Sequence, residues 1–270
     1  MMFKVDDLDE TRAPLLDHLI ELRTRVIRAL LALGAGFAVC LYFADAILGI
    51  LIQPLKDAFP QGQGQLIFTK LPEVFFVELK VALFAGFMVS FPVIANQLWA
   101  FVAPGLYARE KKAFLPFLFA TPVLFAAGAS LAYFVVMPVA FTFFLGFGGL
   151  TGGMNVQALP SAGDYLSLVM QFILAFGLTF LLPVLLLLLH RAGIVSRAQM
   201  VAARRYVIVV IFVIAAIVTP PDPGSQIVLA VPLWLLFEAS LLLMRFQEKA
   251  VAADKAAREA ELAAEKAAAE

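Results

Sequence analysis

Long apolar runs, separated by shorter polar segments, form the dominant pattern along this chain. A helix rises about 1.5 Å per residue and the hydrocarbon core of a bilayer is about 30 Å thick, so about 20 apolar residues span it. The runs therefore predict an all-α, polytopic membrane protein with six transmembrane helices. These predicted segments lie near residues 26–46, 79–103, 114–137, 165–189, 206–219 and 225–244.

The fifth segment is shorter than a bilayer is thick. Only the stretch YVIVVIFVIAAIVT separates Arg205 from Pro220. It supplies roughly 21 Å of apolar helix, about 9 Å less than the hydrocarbon core. We therefore expect locally thinned lipid or neighbouring helices beside this segment.

Prolines interrupt most of the predicted helices. Each removes a backbone hydrogen bond and bends its helix, although a single proline in a membrane helix is often simply tolerated. So many together favour kinked helices that form a curved wall with a concave face. The prolines are Pro92, Pro116, Pro122, Pro183 and Pro232.

Composition agrees with a membrane protein. Hydrophobic residues make up 63% of the chain and charged residues only 15%, whereas soluble domains carry about 25% charged residues. The single cysteine, Cys40, lies in an apolar run, which excludes an intrachain disulfide. A charged segment precedes the first apolar run and further runs follow, a pattern that argues against a cleavable signal peptide.

The uneven placement of charge predicts an orientation. Seventeen of the 20 lysines and arginines lie in the N-terminal segment, in the loops after segments two and four, and in the C-terminal tail. The positive-inside rule places all four in the cytoplasm, so the number of crossings is even. We divide the chain into a cytoplasmic N-terminal segment (1–25), a six-helix membrane domain (26–244) and a charged, Ala-rich cytoplasmic tail (245–270).

The loops on the opposite side differ in character. Residues 47–78 are numerous enough to form a structured cap, and residues 138–164 are rich in Gly and Phe, which favours the membrane interface. The segment PPDPGS is a tight turn. Within it, Asp222 before Pro223 fits a helix N-cap, and Gln226 follows one turn into the sixth helix.

Polar residues inside the apolar runs have several interpretations. Glu238 either extends to the aqueous face near Arg245 or makes a buried polar contact. Gln97 and Gln171 are uncharged, and contacts between helices are their expected role.

The motifs of common catalysts are absent from the sequence. There is no GxxxxGK loop, no HExxH and no recognisable nucleophile elbow, and His18 and His190 lack metal-ligand spacing. We expect His18 to be a histidine on a helix surface, and no metal or cofactor is implied. Two other functions stay open. A secondary transporter for a small solute would show internal repeats, which we do not see, and an intramembrane enzyme would need a catalytic constellation.

Five stretches, in this order, resemble the TatC family of twin-arginine protein translocases, from about Pro14 to Arg245. The resemblance implies a six-helix protein of the cell inner membrane with both termini in the cytoplasm and short fifth and sixth helices. The stretches are HLIELRTR, FPVIANQLWAFVAPGLYAREKK, YFVVMPVAF, RRYVIV and TPPDPGSQIVLAVPLWLLFE.

The resemblance also implies a function without enzymatic activity. Members bind twin-arginine signal peptides on folded cargo proteins and recruit TatA-type and TatB-type single-span partners. Transport is then driven by the proton-motive force. The chain is expected to form a homo-oligomer within the complex and to have no nucleic-acid partner.

Site residues follow from the family motifs. Acidic groups at Glu21 and Glu110 are expected to bind the arginine pair, and Asp222 gains a functional reading beside its role as a cap. The expected signal-peptide face includes Arg23, Trp99, Phe101, Pro104, Leu106 and Tyr107, and the expected partner-contact or functional positions are Pro54, Asp222, Gln226 and Glu238. This chain departs from the family at Leu181, where relatives place Glu or Gln. Gln171 lies about 15 Å earlier along a helix and is not an obvious substitute.

Two readings of Glu21 stay open. Leu15, Leu19, Leu22 and Val26 line one apolar stripe, which leaves Glu21 on the flank facing water. One reading is an i,i+4 pair with Arg25, worth about 0.2–0.5 kcal/mol. The other is a site for guanidinium groups, because arginine binds carboxylates through a planar fork.

Overall fold

The computed structural model describes residues 7–59, 64–106, 115–151, 154–156, 159–191, 193–218 and 223–269, and these residues are almost entirely helical. The all-α prediction is confirmed, with the addition of one small hairpin. The elements in chain order are α1 (Asp7–Tyr42), α2 (Ala44–Ala58), α3 (Glu73–Leu106), α4 (Leu115–Leu131), a π-helical turn (Ala132–Val136), α5 (Met137–Leu145), β1 (Gly149–Thr151), β2 (Met154–Val156), α6 (Ala162–Thr179), α7 (Leu182–Arg191), α8 (Arg197–Ala202), α9 (Arg204–Val218) and α10 (Pro223–Ala269).

Helices α1 and α3 pack closely because small residues face each other. A Cβ atom on Gly36 would lie 2.8 Å from the carbonyl oxygen of Gly86, and one on Gly86 would lie 2.6 Å from the backbone nitrogen of Phe37. Ser90 of α3 donates a hydrogen bond to the carbonyl of Ala32 at 2.8 Å. Small residues and a hydroxyl are the usual means by which membrane helices approach each other.

The main core surrounds α6. Val169, Phe172 and Phe176 are fully buried. At the crossing of α4 and α6, a Cβ on Gly128 would lie 2.5 Å from the carbonyl oxygen of Phe176. Glycine therefore allows the two backbones to touch, as at the α1–α3 contact.

The end of the bundle where α3 and α6 begin, here the capped end, is held by Glu73. One carboxylate oxygen accepts from Ser161 Oγ at 2.7 Å and from the Gly163 N–H at 2.9 Å. The other accepts from both the N–H and the hydroxyl of Thr69, and from the N–H of Lys70. Five donors from two segments of the chain thus converge on one side chain, which joins the predicted cap, residues 47–78, to the start of α6.

Within that cap, α2 replaces part of the predicted first loop. Pro54 lies inside α2 and cannot donate the hydrogen bond that the Ile50 carbonyl would receive in a regular helix. Tyr133 donates to that carbonyl instead, at 2.7 Å, and Tyr165 donates to Leu51 O at 2.7 Å. Tyr133 therefore replaces the backbone donor that the proline removes.

Five helical stretches of the described residues are long and apolar enough to cross a membrane: His18–Tyr42, Glu73–Phe101, Phe117–Leu145, Ala162–Arg191 and Gln226–Lys249. The third extends beyond its predicted end at residue 137 because α5 continues with buried residues such as Ala140 and Phe141. Helix α9 has only 15 residues, so the fifth segment is short, as predicted, and the count of six crossings stays a prediction.

The expectation of a short sixth helix does not hold for the helix as a whole. Helix α10 has 47 residues and runs to Ala269. The Ala-, Glu- and Lys-rich tail consists of strong helix formers, which extend the apolar part without a break. The first residue of the helix is Pro223, and the first position is the one at which a helix accommodates proline best.

Candidate binding surface at the basic end

The opposite end of the bundle, here the basic end, carries most of the predicted site residues. The first part of α1 and the last part of α3 meet there. His18 of α1 stacks on Phe101 of α3, with ring centroids 4.2 Å apart and an angle of 15° between the ring planes. Helices α7 to α10 contribute two ion pairs, Arg197 with Glu248 and Arg204 with Glu238. Arg191 also donates a hydrogen bond to Gln247.

Glu21 is partly covered and already hydrogen-bonded. Arg25 donates to its Oε1 atom from Nε at 2.9 Å and also from Nη2. The other oxygen, Oε2, lies 3.7 Å from His18 Nδ1, and 35% of the Glu21 side chain is exposed. The i,i+4 pair that the sequence allows is therefore present, and it occupies only one of the two carboxylate oxygens.

His18 has more contacts than a surface histidine. It connects Glu21 to Phe101, because one edge of its ring approaches the carboxylate and one face stacks on the aromatic ring. Its side chain is nevertheless 52% exposed. His18 therefore lies on the helix surface, as predicted, but its stacking on Phe101 was not predictable because the two positions are far apart in the sequence.

Trp99 faces away from Glu21, into the interior. Its Nε1 atom donates to Thr121 Oγ1 at 2.8 Å, and this hydroxyl donates to the Phe117 carbonyl at 2.8 Å. Thr121 is 2% exposed. The guanidinium of Arg191 lies 5.1 Å from the centre of the Phe117 ring. Trp99 thus fixes α3 against α4, and Phe101 is the aromatic residue that comes near Glu21.

The helices on the other flank of the basic end are joined by two acidic residues of α10. Glu248 lies 2.9 Å from Arg197 Nε and 3.6 Å from His190 Nε2. Glu238 binds Arg204 Nη2 at 2.8 Å and is 29% exposed. Glu238 therefore makes a polar contact and is also partly exposed. The sequence allowed either a buried polar contact or extension to the aqueous face, and the structure has elements of both.

The remaining predicted residues are dispersed. Arg23 is exposed on α1, Leu106 is the last residue of α3, and Pro54 lies at the capped end. Gln226 donates to the Phe212 carbonyl at 3.2 Å and so connects α10 to α9. Tyr107, Glu110 and Asp222 lie outside the described residues.

Gln97 and Leu181 have different surroundings. Gln97 Oε1 is buried and has no hydrogen-bond partner within the described ranges, so the expected polar contact between helices is not seen at this oxygen. Leu181 packs near an aromatic cluster in which Phe91 and Phe125 stack with centroids 3.7 Å apart. The departure from the family at this position thus extends an apolar cluster.

No group of three or more His, Cys, Asp or Glu side chains that could hold a metal occurs among the described residues. The surface instead offers one partly free carboxylate, an exposed aromatic stack and many arginines. These groups suit recognition of a charged peptide, with arginine as the natural counterpart of the carboxylate.

Comparison with known proteins decides the family. The model for the Sec-independent protein translocase protein (TatC) matches residues 17–232. The chain belongs to the TatC family. TatC proteins are components of a protein translocase, so the chain is a transport protein and not an enzyme.

Relatives support the assignment over nearly the whole length. The TatC protein of Magnetococcus marinus is 49% identical over 256 residues, which cover 95% of this chain and 93% of that protein. The TatC protein of Escherichia coli (strain K12) is 38% identical over 237 residues, which cover 88% of this chain and 90% of that protein. A crystal structure described as the twin-arginine translocase receptor TatC superposes with a TM-score of 0.73 at 39% identity, covering 84% of this chain and 98% of the other.

Proposed function

We propose that this TatC-family chain is the receptor subunit of a twin-arginine translocase and binds the arginine pair of a signal peptide at its basic end. The observation that carries the proposal is the arrangement of Glu21. Its Oε1 atom is held by Arg25, and its second oxygen faces His18 on a flank that is partly exposed.

Arg25 orders Glu21 by holding Oε1 and leaves Oε2 as the acceptor for a peptide arginine. A planar guanidinium can donate to this oxygen in a charge-assisted hydrogen bond and also stack on an aromatic ring. Lysine offers only a point charge. The stacked pair of His18 and Phe101 next to the carboxylate supplies an aromatic surface on which the flat face of an arginine can rest.

A second acidic group completes the proposal. The arginine pair carries two charges, and Glu21 alone offers one. We propose Glu110 as the other carboxylate, because it follows α3, whose residue Phe101 lies beside His18. Tyr107, Leu106 and Arg23 are proposed to line the path of the peptide.

Partner recruitment is proposed at α9. Its 15 residues are too few to span an average bilayer, so thin lipid or a neighbouring helix is favoured beside it. Val209 and Val213 are 61% and 53% exposed on its outer face. We propose that a TatA-type or TatB-type single-span helix covers this face, with Gln226, Asp222 and Glu238 at its two ends.

The proposal is tested by copurification and crosslinking. The tagged chain is purified in mild detergent from membranes that contain a twin-arginine precursor and the single-span proteins. We expect both to accompany it, and a photoreactive residue at Val209 to capture a single-span partner. A matched probe at Val39, which is 59% exposed on α1, serves as the control. Recovery of the chain alone, with equal labelling of lipid at both positions, would contradict the proposal.

A further inference from the structure

An apolar cavity with a lysine at its mouth lies between α3 and α6, far from the basic end. Its volume is about 740 Å³. Leu83 and Phe87 of α3 and Leu174 and Ala175 of α6 line its depth, and Leu33 of α1 contributes one wall. Lys80 and Ser167 lie at its upper edge, towards the capped end.

A second, polar cavity of about 470 Å³ adjoins the first and shares Lys80 and Ser167 with it. Lys70, Glu73 and Asp164 line the polar cavity. The two neighbouring cavities thus place a charged chamber at the capped end and an apolar chamber below it. A molecule with a charged head and an apolar tail has this same division.

In the charged chamber, some charged groups are already paired within the protein and others are not. Both oxygens of Glu73 are occupied by donors from Ser161, Gly163, Thr69 and Lys70. No carboxylate of the described residues lies within ion-pair distance of Lys70 or Lys80. A lysine at the margin of an apolar chamber favours an anionic partner. Asp164, which is exposed, leaves a place for a cationic group.

We propose that this site binds a phospholipid, with the phosphate at Lys80, the head-group amine towards Asp164, and an acyl chain in the apolar chamber. The lining of α6 runs from Ser167 to Ala175, eight residues or roughly 12 Å along a helix. That length suits the upper part of an acyl chain that enters alongside the helices. The chemical class is therefore a zwitterionic lipid such as phosphatidylethanolamine.

A transmembrane helix fits the cavity less well. It would cover Lys80 with apolar side chains unless an acidic residue lay at that level. The lipid satisfies both chambers at once, and it does so independently of any signal peptide.

Native mass spectrometry of the full chain with added phosphatidylethanolamine tests the proposal. We expect bound lipid, and an occupancy about tenfold lower for Lys80→Gln, the factor expected when one charged hydrogen bond is lost. Ala175→Trp, which fills the apolar chamber, should lower occupancy as well. Lys56→Gln is the matched control, because Lys56 lies on α2 and lines neither chamber.

Two further arms separate the sources of the phosphate. Inorganic phosphate and the water-soluble glycerophosphoethanolamine should not displace the lipid, because neither has an acyl chain. Displacement by either would show a free-phosphate site and would overturn the proposal. Equal occupancy in the wild type, Lys80→Gln and Ala175→Trp would also overturn it. Met170 also lines the apolar chamber. A photoreactive residue at this position that captures a protein helix and no lipid in native membranes would likewise overturn the proposal.

Discussion

Arg25 donates two hydrogen bonds to a single carboxylate oxygen of Glu21, from a position one helical turn further along α1. The second oxygen of Glu21 lies towards His18, whose ring stacks on Phe101. One helix thus presents a carboxylate that is already ordered by a guanidinium, and a neighbouring helix supplies the aromatic surface beside it. Ordering of this kind lowers the conformational entropy that the Glu21 side chain loses when a peptide arginine binds.

The contact between α1 and α3 should be intolerant of a single methyl group. In Gly36→Ala, the new Cβ would lie 2.5 Å from Ser90 Oγ and 2.8 Å from the Gly86 carbonyl oxygen, so the helices must separate. We expect the variant to lose about 1–3 kcal/mol of stability, measured by unfolding in detergent. Gly34→Ala is the control, because nothing lies within 4 Å of its new Cβ. Equal stability of the two variants would show that α1 and α3 are less closely packed.

Tyr133 should contribute to stability because Pro54 cannot donate a hydrogen bond to the Ile50 carbonyl. Tyr133→Phe leaves the Ile50 carbonyl without its donor, and we expect a loss of about 0.5–1.5 kcal/mol, the net contribution of one ordinary hydrogen bond. Pro54→Ala restores an N–H one turn after Ile50, so the tyrosine change should cost less in that background. A double-mutant cycle on unfolding in detergent measures the difference. Strictly additive effects would mean that the hydroxyl does not replace the missing donor.

Long apolar runs made the helical architecture predictable, because each helix must satisfy its own backbone in lipid. The shortness of α9 followed from counting between Arg205 and Pro220, and the pair of Glu21 with Arg25 followed from spacing on one helix. Both are local properties, because the length of an apolar run and the spacing of two residues on one helix can be read directly from the sequence.

Contacts between distant positions were not predictable in this way. Glu73 binds Ser161 and Gly163, which follow it by 88 and 90 residues, and His18 stacks on Phe101. No period connects such positions. Helix α2 was taken for part of a loop because it is short, and its apolar residues were too few to indicate a membrane segment.

The proposed orientation is tested by thiol labelling. In a Cys40→Ala background, single cysteines at Gln63 and Met154 should react with an impermeant reagent in intact cells. Cysteines at Arg197 and Ala257 should react only after the membrane is opened, since the positive-inside rule places both in the cytoplasm. Labelling of position 197 in intact cells would contradict six crossings with cytoplasmic termini.

The pair of Arg204 with Glu238 should hold α9 beside α10. Glu238→Gln removes the charge that Arg204 Nη2 contacts at 2.8 Å, and both side chains are partly exposed. We expect a stability loss of only about 0.2–1 kcal/mol, typical of an exposed ion pair. Under the proposed function, crosslinking of a single-span partner at Val209 should fall as α9 loosens. Unchanged crosslinking would remove Glu238 from the partner surface.

The most direct test of the account is the affinity of the purified chain for a twin-arginine signal peptide. We expect Glu21→Gln and Glu110→Gln each to weaken binding about tenfold or more, and the double variant to bind no better than the wild type binds a twin-lysine peptide. Glu248→Gln is the control, because it removes a charge from the same end of the bundle, away from Glu21. If the double variant, still folded, binds the twin-arginine peptide as tightly as the wild type does, Glu21 serves only to pair with Arg25.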